Sequence, residues 1–187
     1  DDFIAIHTGN MGAKQDLGNL ILASEYLPEG SRIKIFLVGH GNQEKDLREM
    51  SSGKANVSVM DAVSDADYSA LLSAADLLIV NERSTQLEMS LPSKLTSYLY
   101  GERPVLAAVP RGGATWKFLD GVAELVEAAD PKALAKKIEE LSHNQFRLDE
   151  LAKLGSEFAK KHLDPEVGRA KYLRWVEDLI NPNKDRR

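Results

Sequence analysis

The chain has 187 residues, 43% hydrophobic and 28% charged, enough for one α/β domain with a well-buried core. Its formal charge is −5 with 24 scattered basic residues, so no excess of cation speaks for nucleic acid. Cysteine is absent, which removes disulfides, thiolate metal sites and cysteine nucleophiles together and is read as a reducing, cytoplasmic setting.

Phe3–Thr8 is apolar and β-branched, and Gly9-Asn10-Met11-Gly12 turns from it into the amphipathic stretch Gln15–Leu27. Arg32–Val38 reads as a second strand, followed by Gly39-His40-Gly41-Asn42 and a helix over Gln43–Met50. Val57–Met60 is a short third strand and Asp65–Ala74 a helix. Leu77–Val80, Lys94–Tyr100 and Pro104–Val109 continue the alternation of strand, helix and strand, and Ala123–Val126 is the last strand. From Pro131 onward three helices are expected, Pro131–Leu141, Phe146–His162 and Pro165–Ile180. Asp130-Pro131 and Asp164-Pro165 each place a capping acid before a proline at the first helical position.

Strands apolar on both faces, alternating with helices, indicate a parallel sheet covered on both sides. The expected fold is therefore α/β, a doubly wound, Rossmann-like parallel sheet, with residues 131–187 a mainly helical C-terminal part. The longest apolar runs are strand-length, far short of the ~20 residues that span a membrane. No signal peptide is present, an initiator Met is lacking and the first strand begins almost at once, so the chain is expected to be an excised domain.

The most informative segment runs from Ala75 to Gly113. Two apolar strands flank a helix that opens with Pro92-Ser93-Lys94 and closes on Gly101. Parallel strands joined this way leave the first turn of the helix at the carboxyl edge of the sheet, where free N–H groups favour an anion. Pro92, Ser93 and Lys94 therefore sit where a phosphate would sit. Gly9-Asn10-Met11-Gly12-Ala13-Lys14 occupies the turn where doubly wound proteins bind pyrophosphate, and Lys14 could neutralise it. The spacing is neither G-x-G-x-x-G nor a Walker loop. Gly39-His40-Gly41 begins like a dinucleotide fingerprint, but Glu44 holds the place of its third glycine, and a tight turn explains it as well. His7 and His40 lie on the same edge without clustered carboxylates, so neither a metal nor a cofactor is expected. Glu82 and Glu88 read either as solvated loop acids or as partners for sugar hydroxyls. Arg111-Gly112-Gly113-Ala114-Thr115 reads equally as a mobile ligand loop or a plain turn. Leu134, Ile138, Leu141, Val167, Tyr172, Trp175 and Val176 read as packing faces.

With these residues in hand, the chain resembles the nucleotide-sugar-binding, C-terminal half of a two-Rossmann-domain (GT-B) glycosyltransferase. It is most similar to the retaining group 1 bacterial enzymes that build polysaccharides such as colanic acid and capsule. The segments carrying the resemblance are HTGNMGAKQDLGNLI, FLVGHGNQEKDL, ADLLIVNERSTQLEMSLPSKLTSYLYGERPVLAA and DGVAELVEAADPKALAKKIEEL. It implies that Gly9, Asn10 and Gly12 face the donor pyrophosphate and that Lys14 neutralises it. It implies that Gly39 and Gly41 turn beside the nucleoside, and that Asp61, Ala62 and Val63 read the base through their backbone. Leu91, Pro92 and Ser93 would hold the distal phosphate through backbone amides, with Lys94 adding a cation. Lys94 and Lys14 are then the catalytic residues, stabilising a departing diphosphate without a metal.

Many relatives carry a second Glu that binds the ribose. Counting back from Gly101 puts Glu88 at the first Glu and Thr96 at the second, whereas aligning from Lys94 makes Ser97 the replacement. The implied donor is a UDP- or GDP-sugar and the acceptor a glycan or lipid-linked glycan. The acceptor pocket would lie in an N-terminal domain absent from this chain, a half through which the whole enzyme could meet a membrane surface and towards which the final helices, around Tyr172 and Trp175, would reach back. Two other readings remain. A dehydrogenase-type dinucleotide module lacks its third glycine here, and a non-catalytic nucleotide-binding or regulatory domain that kept the fold would account for the lost Glu.

Overall fold

A computed structural model describes residues 2–85 and 91–180. Strands and helices alternate: β1 (Phe3–Asn10), α1 (Gly18–Ser24), β2 (Ile33–His40), α2 (Glu44–Ser51), β3 (Val57–Met60), α3 (Asp65–Ser73), β4 (Leu77–Asn81), α4 (Lys94–Tyr100), β5 (Val105–Val109), α5 (Ala114–Leu119) and β6 (Glu124–Glu127). Helices α6 (Pro131–Ser142), α7 (Gln145–His162) and α8 (Pro165–Ile180) follow. The six strands form one sheet in the order β3-β2-β1-β4-β5-β6, and every neighbouring pair is parallel.

This order is the doubly wound arrangement read from the apolar runs. Every residue of β4 and β5 is buried, which is why these strands show no polar alternation. One face of the sheet packs Leu20 and Ile21 of α1, Leu47 of α2 and Leu134 and Ile138 of α6. The other packs Leu72 of α3, Leu95 and Leu99 of α4 and Leu119 of α5. α7 reaches both, placing Leu148 and Leu151 in the first cluster and Ala159 in the second. Each such leucine or isoleucine contributes about 1.5–3 kcal/mol by leaving water.

Local chemistry explains most of the boundaries. Ser64 starts α3 by accepting a hydrogen bond from Asp67 N–H, and Asp130 caps α6 by accepting from Ala133 N–H, with Pro131 following it. The helix expected from Gln15 begins only at Gly18. Asp16 stands at φ 46°, and the Asn81 side chain donates to the Gln15 and Asp16 carbonyls, the second of which also accepts from Asn19 N–H at 3.0 Å. α5 was not expected, because the double glycine before it masks its six residues. The Arg111–Gly113 segment is thus a turn into a helix; Arg111 pairs with Glu127 at 3.4 Å and lies over the Trp116 ring.

Leu134, Ile138 and Leu141 are buried as expected of packing residues, but α8 buries none of its residues. Tyr172 and Trp175 are exposed, with ring centroids 5.9 Å apart. They are therefore not packing residues of this unit, a correction to the reading of their spacing. No helix among the described residues is long and apolar enough to cross a membrane.

Candidate functional site

The site follows from where the chain reverses its winding. β1 pairs with β2 along its whole length, to Asn10↔His40, yet its pairing with β4 is confined to Ala5↔Leu77 and Ile6↔Leu78. Beyond Ile6 the two central strands part, and the crevice between their carboxyl ends is the switch point of the fold. Backbone groups facing this gap still need partners. Thr8 N–H donates to Tyr98 Oη at 2.7 Å, and the Ile79 carbonyl accepts from His7 Nδ1 at 3.0 Å. Tyr98 Oη also lies 3.1 Å from Thr8 Oγ1, which in turn meets Tyr68 Oη at 3.0 Å.

Because the Ile79 carbonyl can only accept, Nδ1 of His7 carries the ring proton and Nε2 is left as an acceptor. Lys94 Nζ sits 2.9 Å from that nitrogen and donates to it. The same amine lies over Gly9: a Cβ there would be 3.5 Å from both Cε and Nζ of Lys94. Burial lowers the His7 pKa well below the ordinary value, and the charge of Lys94 lowers it further against the opposing bond from Ile79. The ring is therefore neutral. Burial also lowers the Lys94 pKa, to about 8, with Glu82 acting in the opposite sense. Glu82, at the end of β4, accepts from Thr115 Oγ1 at 2.7 Å. Burial raises its pKa, opposed first by the Thr115 hydroxyl and then by Lys94. Glu82 is thus half-buried and engaged in the site rather than a solvated loop acid.

A second polar group ties the glycine loop to β4. Asn81 is buried; its Nδ2 donates to the carbonyls of Gln15 at 2.8 Å and Asp16 at 3.0 Å, while its Oδ1 accepts from Asn19 Nδ2 at 2.8 Å. Next to it, Arg83 N–H donates to the Lys14 carbonyl at 2.9 Å. The loop from Gly12 to Asp16 is pinned beside the crevice by these bonds.

The structure unites some of the residues singled out from the sequence and separates others. Gly9 and Asn10 are the last residues of β1, exposed at the carboxyl edge, and Gly12 is buried against the Asn10 side chain. Lys14 is exposed on the pinned loop. Gly39 is demanded by packing, since a Cβ there would fall 1.9 Å from the Gly9 carbonyl oxygen; at Gly41 it would meet the Met11 carbonyl at 2.5 Å. Asp61 is exposed beside the edge strand β3 and paired with Arg48 at 2.5 Å; Ala62 is exposed and Val63 half-buried. Leu91 and Ser93 are exposed and precede α4. Pro92 has no N–H, so only Leu91 and Ser93 can offer an amide, which corrects the grouping of all three as donors. On α4, Ser97 lies three residues from Lys94 and is half-buried, whereas Thr96 is exposed. Glu88 lies outside the described residues.

His7, Asn81, Tyr98 and Thr115 complete the site; His7 was placed at this edge and Thr115 in a candidate ligand loop without these roles, and Asn81 and Tyr98 were not picked out. The available signal was a polar residue breaking an apolar strand, His7 in FIAIHTGN and Asn81 after LLIV. Among the described residues, no group of three or more His, Asp or Glu side chains stands ready to hold a metal.

Comparison with known proteins bears on the family and the fold. Residues 1–162 match the family described as glycosyl transferases group 1. WcaI of Escherichia coli K12, which carries the name of a colanic acid biosynthesis glycosyl transferase, is 29% identical over 168 residues, 87% of this chain and 40% of that protein. Among solved structures, Anabaena Alr3699/HepE in complex with UDP superposes with a TM-score of 0.80 at 16% identity, covering 95% of this chain and 49% of that one. The catalytic domain of cholesterol-alpha-glucosyltransferase from Helicobacter pylori gives 0.72 at 18% identity, covering 87% and 99%. The chain thus spans less than half the length of the curated relative it matches.

Proposed function

The chain belongs to the group 1 glycosyl transferases, and from that premise we propose that it is the donor-binding half of an enzyme moving a sugar from a nucleoside diphosphate to a glycan or lipid-linked acceptor. The observation that carries this reading is Lys94, held over Gly9 at the switch point, where a diphosphate would find a fixed cation beside exposed backbone. UDP and UDP-glucose occur in complexes of Alr3699/HepE, a protein of like fold, which supports a nucleotide sugar as the ligand.

Departure of the diphosphate from the anomeric carbon leaves negative charge on its outer oxygens. Lys94 and the exposed Lys14 would stabilise that charge, with the amides of Leu91 and Ser93 close to the distal phosphate. Groups aimed at developing charge typically contribute about 10²–10³ in rate each. Ser97, half-buried three residues from Lys94, would be the hydroxyl to meet the ribose, a contact weaker than a carboxylate would make. Retention of configuration, a cytoplasmic location and work in polysaccharide synthesis belong to this same reading. The exposed apolar side chains of α8 would then face the other half of the enzyme, which would hold the acceptor.

A thermal-shift panel with UDP, GDP, their sugar conjugates and NAD tests it. A ligand at 100 times its dissociation constant adds about 2.7 kcal/mol, here a rise of roughly 5–10 °C. A rise with UDP or GDP and their conjugates supports the donor site and names the base. A rise with NAD alone overturns it. Nucleotide binding without sugar transfer in the full-length protein would favour a retired, regulatory domain, the reading that the missing ribose carboxylate suggests.

A further inference from the structure

We propose that His7 is a positioning residue whose Nε2 holds the Lys94 ammonium over Gly9, aimed at the phosphate position before a donor arrives; this rests on the donor-site reading above. Lysine is a point charge on a flexible four-carbon stem, and fixing such a chain costs up to about 2 kcal/mol of rotamer freedom. If the empty site has already restrained the stem, the incoming diphosphate does not meet that cost. His7 suits the task because it is fully buried on β1, and its other nitrogen is locked by the Ile79 carbonyl, so the ring cannot swing away.

The choice of imidazole also matters. A carboxylate at this position would neutralise the ammonium and compete with the diphosphate for it. A neutral imidazole accepts one hydrogen bond and leaves the positive charge uncancelled. The nearby acid, Glu82, is directed instead to the Thr115 hydroxyl. His7 thus has two separable duties: Nδ1 satisfies a strand carbonyl stranded by the parting of β1 and β4, and Nε2 holds the cation. The first serves the fold and the second the ligand edge.

Two substitutions separate them. In His7→Asn the side-chain amide reaches the Nδ1 position, so it keeps a donor for Ile79 and loses the acceptor for Lys94. In His7→Gln the amide oxygen reaches the Nε2 position, so the acceptor for Lys94 is kept and the bond to Ile79 is lost. Dissociation constants for UDP and GDP are measured by calorimetry, melting temperatures are recorded, and Lys94 is titrated through the pH dependence of its acetylation, read by mass spectrometry. We expect H7Q to stay within about twofold of wild type and H7N to lose about tenfold in affinity, equivalent to one charge-assisted contact. The Lys94 midpoint should fall in H7N alone, because losing an acceptor disfavours the ammonium.

Affinity that simply tracks the loss of melting temperature in both variants, or H7N binding like wild type, overturns the proposal. If wild type binds neither UDP nor GDP, the donor reading fails, while the Lys94 titrations still judge His7: the same midpoint in all three proteins refutes its hold. A reading that needs no variant is the ¹⁵N spectrum of the wild-type ring. Protonation at Nδ1 with a hydrogen-bonded Nε2 is expected, and a proton on Nε2 rules the contact out.

Discussion

Replacing Asn81 by alanine should loosen the glycine loop and destabilise the whole fold, because this side chain is the main tie between β4 and residues 15–19. Only 1% of Asn81 is exposed, so its own bonds are shielded from water, while the Asp16 carbonyl it would leave behind keeps its bond from Asn19 N–H. Three hydrogen bonds of 2.8, 2.8 and 3.0 Å are lost, to the Gln15 carbonyl, Asn19 Nδ2 and the Asp16 carbonyl. At about 1 kcal/mol per buried hydrogen bond the loss is about 3 kcal/mol, or roughly 6–12 °C in melting temperature for a chain of this size. Asn19→Ala loses one of the same bonds and should cost about 1 kcal/mol. In the double variant that shared bond is counted once, so denaturant unfolding should return about 1 kcal/mol less than the sum of the singles. Asn81→Asp, of equal size, turns an oxygen towards two carbonyls and should be at least as damaging as alanine. Hydrogen exchange should show the extra opening concentrated in residues 11–17. An Asn81→Ala variant within about 0.5 kcal/mol of wild type, or strictly additive costs, would refute the latch.

Further outcomes follow from the same geometry. Tyr98→Phe strands the buried Thr8 N–H and should cost about 1–3 kcal/mol in denaturant unfolding; a neutral result would mean that this amide finds another partner. Gly39→Ala must push a methyl against the Gly9 carbonyl and should cost more than about 3 kcal/mol, whereas Gly30→Ala, strained at φ 74° but open, should cost about 1–2 kcal/mol. Equal melting temperatures for the two glycine variants would sink the close-approach argument. Nucleotide affinity should change little between pH 7 and pH 8 and fall above it. Lys94 loses its proton near that pH in the empty site, whereas a bound diphosphate retains the ammonium, so binding takes up a proton and weakens by at most about tenfold per pH unit. Calorimetry of UDP and GDP at pH 7 and pH 9 checks the sign, and Lys94→Met should abolish the slope.

The sheet was legible because its strands have no choice of face. Leu77–Val80 and Val105–Val109 are apolar throughout, and only a sheet covered on both sides buries every residue of such runs. Asp130-Pro131 announced α6 just as clearly, because a capping oxygen and a fixed φ act locally. The start of α1 and the existence of α5 were not legible. Gln15 and Asp16 have helical neighbours in sequence, but their carbonyls are claimed by Asn81, 66 and 65 residues away. α8 shows the opposite failure: its spacing of Tyr172, Trp175 and Val176 suits a buried stripe, yet this unit offers nothing to bury it against.

The site divides along the same line between local and long-range causes. Gly9, Gly12 and Lys94 could be singled out because turns and helix starts carry their meaning in a few adjacent residues. His7 could not, since its role depends on β1 and β4 parting after Ile6, a property of the strand order and of no short segment. That parting is the common cause of the remaining features. It strands Thr8 N–H and the Ile79 carbonyl; the buried groups that satisfy them, Tyr98 and His7, lie on the two sides of the crevice, and each brings a polar atom to its floor. Lys94 then meets an imidazole already fixed by a backbone duty. An apolar residue at position 7 could fill the same space, but it would leave the carbonyl unpaired and the lysine unheld. One polar substitution in an apolar strand therefore serves the fold and the ligand edge together, which is why stability alone cannot distinguish its two nitrogens and nucleotide affinity can.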